Sequence, residues 1–182
     1  MSTEALLLAV LAWLVYPLWL LAGVLDFLCH RAAGIERSAG TAESRWHLVQ
    51  LALVGLPIVL ALFVEISALL LAITLACVLL HTLAAYADTR VASAHRAIPP
   101  FEQHVHAALD ALPAVAFGIL AVLHPQQSLA LLGGDGGDWT LQLRAPPLPP
   151  ALVAAVLASA ALFAVAPALW EWRRCRRVEA QR

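Results

Sequence analysis

The chain has 182 residues, of which 62% are hydrophobic and only 13% are charged, and its mean hydropathy is +0.83. This composition lies outside the range of soluble globular domains and indicates a membrane protein. The formal net charge of -1 gives no sign of nucleic-acid binding, and three scattered cysteines argue against a disulfide framework or a zinc ribbon.

The hydrophobic pattern predicts an all-α, polytopic membrane bundle, because a helix needs about 20 apolar residues to cross the hydrocarbon core. We expect one transmembrane domain over residues 1–182, with five transmembrane helices at about 5–25, 47–65, 67–87, 100–124 and 150–170. The polar interruption at Glu65-Ile66-Ser67 predicts a tight hairpin between the second and third spans. The Gly- and Pro-rich segment 126–149 predicts a loop.

The distribution of arginines predicts the orientation. All eleven basic residues are Arg, a bias that suggests a GC-rich bacterial genome, and only Arg144 falls on the side opposite the other ten. The positive-inside rule then gives an N-out/C-in chain in the bacterial cytoplasmic (inner) membrane. A cleaved signal peptide over residues 1–25 is the competing interpretation. The absence of a basic n-region and the presence of Asp26 disfavour it.

Acids and histidines collect at the cytoplasmic end of the predicted spans. Several pairs are spaced four apart and therefore share a helix face: Asp26 with His30, Glu43 with His47, Glu102 with His106, and His106 with Asp110. His81 lies seven residues before Asp88, or roughly 10 Å inside the end of its span at about 1.5 Å per residue. Ionisable groups at membrane depth are costly and usually mark a pathway, a partner or a metal.

Mixed imidazole and carboxylate ligands from several helices are typical of transition-metal sites. The candidate metal ligands are Asp26, His30, Glu43, His47, His81, Asp88, Glu102, His106 and Asp110. Nine such donors are better matched to two metal ions than to one zinc ion, which needs about four ligands. Iron is the first expectation, and manganese or zinc the next.

Each residue also has a simpler interpretation. In that interpretation the acids form ordinary ion pairs with nearby arginines: Asp26 with Arg31, Glu43 with Arg45, and Asp88 with Arg90. His104 faces away from Glu102 and His106 on a helix, and Glu36 and His95 lie in connections. The residues set aside are Cys29 as a soft ligand, Glu65 and His124 at the outer end, and Asp135 and Asp138 as a weak calcium-loop pattern.

In architecture and in the side that bears the ligands, the chain resembles the membrane-integral non-haem di-iron hydroxylases and desaturases. The pairs Asp26/His30, Glu43/His47 and Glu102/His106 stand where those families carry His-rich boxes, a ligand balance closer to ferritin-like proteins. The resemblance implies an oxidoreductase that activates dioxygen on a lipid-soluble substrate among membrane lipids. An external electron donor is also implied, because the chain has no flavin, nucleotide or Fe–S motif.

Two other functions remain open. One is a metal-dependent hydrolase of a lipid or phospholipid, with metal-bound hydroxide as the nucleophile. The other is a non-enzymatic metal- or haem-binding membrane subunit. Haem needs paired histidines at matched depth without carboxylates, so the acid–histidine pairs disfavour it.

Overall fold

A computed structural model describes residues 1–181, and within that range regular structure is helical apart from an isolated antiparallel bridge between Val64 and Leu143. The helices are α1 (Thr3–Ala33), α2 (Thr41–Phe63), α3 (Ala68–His95), α4 (Pro100–Leu123), α5 (Pro125–Leu131) and α6 (Pro150–Glu179). All but α5 are long and apolar enough to cross a membrane. The prediction of an all-α chain with five helices able to span a membrane is therefore confirmed, and these helices suggest a multi-pass membrane protein.

The helices extend beyond the apolar spans predicted for them. Helix α1 continues past residue 25 to Ala33, α2 begins at Thr41 rather than near residue 47, and α6 continues to Glu179. Hydropathy marks only the part of a helix that suits hydrocarbon, whereas the backbone hydrogen bonds continue into the polar flank. The polar residues at these ends consequently stand on rigid helices rather than in loops.

Four prolines lie inside the long helices, at positions 17, 57, 113 and 167, and two of them follow a widened helical turn. In α1 the π-helical turn Leu11–Val15 precedes Pro17, and in α6 the π-helical turn Ala161–Val165 precedes Pro167. Proline has no N–H and its ring clashes with the carbonyl four residues earlier, so a wider turn relieves the clash.

The five long helices form a closed ring. Going around it, α1 packs on α4, α4 on α3, α3 on α2, α2 on α6, and α6 on α1. Successive spans run in opposite directions, so the C-terminal ends of α1, α3 and α6 meet the N-terminal ends of α2 and α4. This order places five polar helix ends around one axis.

The connections at the other end are tied by polar contacts. Ser67 caps α3 after the predicted hairpin, and Arg144 donates from Nη2 to the carbonyls of Ala61 (3.1 Å) and Val64 (3.2 Å) at the end of α2. The segment 126–149, predicted as a loop, begins within α5, because Pro125 is well suited to the first turn of a helix. A loop follows from Leu132 to Pro149.

Candidate metal centre

A cluster of ionisable side chains fills the end of the ring where the five polar helix ends meet. We call it the His30 cluster, and its members are Asp26 and His30 from α1, Glu43 and His47 from α2, Asp88 from α3, Glu102 and His106 from α4, Glu171 from α6, and Arg96. Arg96 comes from the connection between α3 and α4. Most members are almost fully buried, with Glu43 at 0% and Glu102 and His30 at 1% exposure. Charges this deep need partners or a metal.

His30 lies at the centre of this cluster. Its Nε2 is 3.4 Å from Asp26 Oδ1, 3.4 Å from Glu102 Oε1 and 3.6 Å from Glu43 Oε1. Its Nδ1 is 3.0 Å from Glu171 Oε2, at hydrogen-bond distance. An imidazole that donates from Nδ1 to a carboxylate keeps the Nε2 lone pair free, which is the arrangement of metal-ligating histidines.

Three donor atoms converge beside His30 without hydrogen-bond partners. They are Asp26 Oδ1, His30 Nε2 and His106 Nε2, and all three atoms are buried. One ligand atom from each of these residues lies within 4.8 Å of the other two. His106 Nε2 is 3.0 Å from Asp26 Oδ1. Ligands about 2.1 Å from one ion lie about 3.0 Å apart in octahedral geometry and about 3.4 Å apart in tetrahedral geometry. The separations of Asp26 Oδ1 from the two nitrogens therefore fit one ion.

A second group of three possible donors shares His30 with the first. His30, Glu43 and His47 also offer atoms within 4.8 Å of one another. However, His47 Nδ1 is 2.6 Å from Glu171 Oε1, and its Nε2 is 3.2 Å from Asp88 Oδ2. An imidazole that donates from both nitrogens has no lone pair for a metal, so His47 is better placed as a proton-holding neighbour.

The rings of His30 and His47 stack face to face. Their centroids are 4.5 Å apart, and their planes differ by 4°. The Glu171 carboxylate joins both rings, with one oxygen on each Nδ1. Axial haem ligands approach an iron from opposite sides, so this stacked pair has a different arrangement from a bis-histidine haem site.

Arg96 occupies the carboxylates of Glu43 and Glu102. Its Nη2 donates to Glu43 Oε1 (2.6 Å) and also to Glu102 Oε1, while Nη1 donates to Glu102 Oε2 at 3.0 Å. Burial lowers the pKa of Arg96, but the hydrogen bonds to Glu102 and Glu43 raise it more, so the guanidinium stays charged. Two of the predicted metal ligands, Glu43 and Glu102, are thus paired with one arginine.

Two other predicted ligands lie outside the His30 cluster. His81 Nε2 is 3.3 Å from the Leu109 carbonyl, and its buried Nδ1 has no hydrogen-bond partner. Asp110 accepts a hydrogen bond from Thr82 at 2.9 Å in an exposed position. Although His106 and Asp110 are four apart, the structure does not bring Asp110 to the centre.

The ion pairs differ from those that neighbouring sequence positions suggest. Asp26 contacts two histidines, whereas Arg31 lies over the Trp170 ring, 4.7 Å from its centroid. Glu36 pairs with Arg174 at 2.5 Å. Burial raises the pKa of Glu36, but the hydrogen bond and charge of Arg174 lower it further, so the net shift is downward.

The remaining candidates make local contacts. His95 and His104 each place Nδ1 2.8 Å from the carbonyl four residues earlier and are exposed, and Glu65 accepts from the Ala145 N–H at 2.9 Å.

The sequence reasoning missed Glu171 and Arg96. Glu171 is absent from the predicted ligands because it lies between Trp170 and Trp172, which are typical of the membrane interface at the end of a span. An acid in an otherwise apolar helix was the available signal. Arg96 contributes to the predicted orientation but is absent from the predicted ligands, although it lies six residues before Glu102 and just before the Pro99-Pro100 helix start.

A cavity of about 90 Å³ adjoins the His30 cluster on the side toward the middle of the bundle. Apolar side chains from α1, α2 and α6 form most of its wall, including Trp19, Leu51 and Pro167. Polar groups also face it: Asp26, His47, Gln50, His81 and Glu171. The π-helical turn of α6 contributes Ala164 to this wall.

Comparison of the chain with protein-family models, with curated proteins and with solved structures found no match.

Proposed function

We propose that this protein is a membrane-integral metal-dependent oxidoreductase in which Asp26, His30 and His106 bind one divalent metal ion, with iron the first choice and manganese or zinc the next. The observation that carries the proposal is the convergence of three buried donor atoms from these residues, none of which has a hydrogen-bond partner. Two histidines and one carboxylate are the protein ligands of many non-haem Fe(II) oxygenases, in which the other coordination positions of the metal stay open.

One ion is proposed in place of the expected pair of irons because Arg96 engages both Glu43 and Glu102. A guanidinium between these carboxylates supplies the positive charge that a second ion would otherwise provide. A second ion at Glu43 and Glu102 would have to replace Arg96.

The metal would supply the binding and reduction of dioxygen. The chain's own residues would hold the metal ion, orient its ligands and shield the site. Glu171 accepts from His30 Nδ1 and fixes the ring so that Nε2 faces Asp26 and His106. His47, between Glu171 and Asp88, can hold a proton beside the site. The cavity along α1, α2 and α6 would receive the apolar part of a lipid-soluble substrate.

The overall reaction proposed is insertion of one oxygen atom into a C–H bond of the substrate. Dioxygen, two electrons and two protons convert R–H into R–OH and one water. The electrons come from an external donor protein or a membrane reductant, since the chain shows no flavin, nucleotide or Fe–S motif.

The proposed orientation places this site on the cytoplasmic side of a bacterial inner membrane. Nine of the ten arginines within residues 1–181 lie on the same side of the spans as the His30 cluster, and under the positive-inside rule this distribution favours N-out/C-in.

A metal-dependent hydrolase acting on a lipid is the second candidate. The observation that favours it is Glu102 Oε1, 3.8 Å from His106 Nε2, where a carboxylate could accept a proton from metal-bound water.

Metal analysis of the purified protein, with an optical spectrum and oxygen uptake after anaerobic reduction, tests the first proposal. One iron per chain and oxygen consumption without a Soret band support it. Zinc with no oxygen uptake favours the hydrolase, and a Soret band indicates a haem-binding subunit.

A further inference from the structure

Four arginines gather on the outer surface where α1 and α6 meet, beside the His30 cluster but outside it. We call them the arginine patch: Arg31 from α1, and Arg173, Arg174 and Arg177 from α6. The guanidinium carbon of Arg31 lies 4.7 Å from the centre of the Trp170 ring, so this side chain reaches across from α1 to α6. Arg31, Trp170 and Arg174 also line one small depression between the two helices. The patch is therefore assembled by the packing of two distant helices.

The arginines of α6 share one face of that helix with Trp170. Arg173, Arg174 and Arg177 follow Trp170 by three, four and seven residues, which is the spacing of one helix face. Glu171 points inward and is 6% exposed, whereas Trp170 is 45% exposed. Arg173 and Arg177 are exposed as well. This face of α6 is thus open to the surroundings of the bundle.

The patch carries more positive charge than the nearby acids neutralise. Glu36 pairs with Arg174 at 2.5 Å. Within residues 1–181, no carboxylate forms an ion pair with Arg31, Arg173 or Arg177. Several guanidinium groups on one exposed surface attract an anion, and the planar donors of arginine suit the oxygens of a phosphate.

The surface next to the patch is apolar on the side toward the middle of the spans. Phe163 lies seven residues before Trp170, or roughly 10 Å farther into the span at about 1.5 Å per residue. Phe163 is 44% exposed, and Leu28, three residues before Arg31 on α1, is 51% exposed. Tryptophan is enriched at the headgroup level of a membrane. The order of arginine, tryptophan and apolar side chain thus matches the layers of a phospholipid leaflet.

The patch offers no place for the cation of a zwitterionic headgroup. Phosphatidylcholine carries an ammonium group beside its phosphate, and such a group binds a carboxylate or an aromatic face. Glu36 is already paired with Arg174. Arg31 lies over the Trp170 ring, and Phe27 packs against the same ring with the centroids 5.4 Å apart. An anionic headgroup such as phosphatidylglycerol has no cation to accommodate.

We propose that the arginine patch binds the phosphate of an anionic phospholipid through Arg31, Arg173 and Arg177, with the acyl chains along the exposed apolar side chains of α1 and α6. Arginine clusters beside a spanning helix are typical of anionic-lipid recognition. The bound lipid bridges the first and the last span, whose contact closes the ring. None of these arginines is a proposed metal ligand, so this site is independent of the proposed metal centre.

The test uses dioleoylphosphatidylglycerol and dioleoylphosphatidylcholine, which share their acyl chains and differ in headgroup charge. Equal amounts of both lipids are added to the purified full-length protein in a neutral detergent, and native mass spectrometry counts the complexes with one bound lipid. We expect phosphatidylglycerol complexes to exceed phosphatidylcholine complexes about tenfold. The combined variant Arg31→Gln/Arg173→Gln/Arg177→Gln should lower this ratio to about twofold or less.

The matched control is the combined variant Arg45→Gln/Arg90→Gln/Arg176→Gln. It removes the same charge from three exposed arginines at the same end of the bundle, and it should keep the tenfold ratio. An equal loss of the ratio in both combined variants indicates a general attraction by surface charge and overturns the proposal. A ratio near one in the unmodified protein also overturns it.

Glycerol 3-phosphate separates a lipid site from a site for a soluble phosphate. It carries the charged group without acyl chains, so a molar excess should leave the phosphatidylglycerol complexes unchanged. Displacement of the lipid by glycerol 3-phosphate indicates a soluble anion site and overturns the proposal.

Brominated lipids give a second readout if the combined variant fails to fold. In vesicles, brominated phosphatidylglycerol should quench the tryptophan fluorescence of the unmodified protein more strongly than brominated phosphatidylcholine. Trp170→Phe should remove most of this difference, because Trp170 lies within the patch. Equal quenching by the two lipids, or a difference that Trp170→Phe leaves unchanged, overturns the proposal.

Discussion

Removal of Arg96 tests whether its guanidinium stabilises the buried negative charges of the His30 cluster. In Arg96→Ala the carboxylates of Glu43 and Glu102, at 0% and 1% exposure, lose the cation that bonds both of them. Removing one partner of a buried ion pair costs about 3–5 kcal/mol, because the remaining charge stays buried and unpaired. We expect a loss of this size in the free energy of unfolding.

The assay is reversible unfolding in mixed micelles with increasing dodecyl sulfate, in the presence of a chelator so that no metal replaces the lost charge. Arg90→Ala is the matched control, because Arg90 is an exposed arginine near the end of α3, and its change should stay within about 0.5 kcal/mol. Adding Glu43→Gln and Glu102→Gln to Arg96→Ala should restore most of the loss, since the unpaired charges are then removed. Equal destabilisation by Arg96→Ala and Arg90→Ala would refute the reasoning.

Three further predictions concern the metal and the topology. His106→Ala should lose most bound metal by elemental analysis, whereas His81→Ala should keep it, since only His106 belongs to the converging triad. Equal metal content in both variants contradicts this assignment. Glu171→Gln should weaken metal binding by about 10- to 100-fold in chelator competition, because Glu171 orients the His30 ring; an unchanged affinity speaks against that role. Reporter fusions should place the C-terminus in the cytoplasm and the loop 132–149 outside, and a C-terminal reporter active only outside the cytoplasm reverses the proposed orientation.

Local sequence patterns predicted the features of this protein that are set within a single helix. The number of spanning helices follows from runs of apolar residues, because the hydrocarbon thickness fixes the length of a crossing. The four-residue spacing of Asp26 with His30, and of Glu102 with His106, correctly placed each pair on one helix face. In the structure each of these pairs is in contact, at 3.4 and 3.8 Å.

The same four-residue spacing did not predict which residues contact the His30 cluster where neighbouring helices decide the contact. His106 and Asp110 also stand four apart, yet Asp110 bonds to Thr82 on α3 while His106 meets Asp26 on α1. The rotation of each helix about its axis decides which residue faces the centre. That rotation is set by packing against other helices rather than by the sequence of the helix itself.

The sequence by itself therefore determined the five spans and the end of the bundle at which the acids and histidines collect. Only the tertiary structure decided that His30 is central, that Glu171 joins the rings of His30 and His47, and that Arg96 lies between two buried carboxylates. Glu171 is 141 residues from His30, and Arg96 is 53 residues from Glu43. Hydropathy and helical periodicity act over a few turns, whereas these contacts arise because the ring order α1, α4, α3, α2, α6 brings distant parts of the chain to one point.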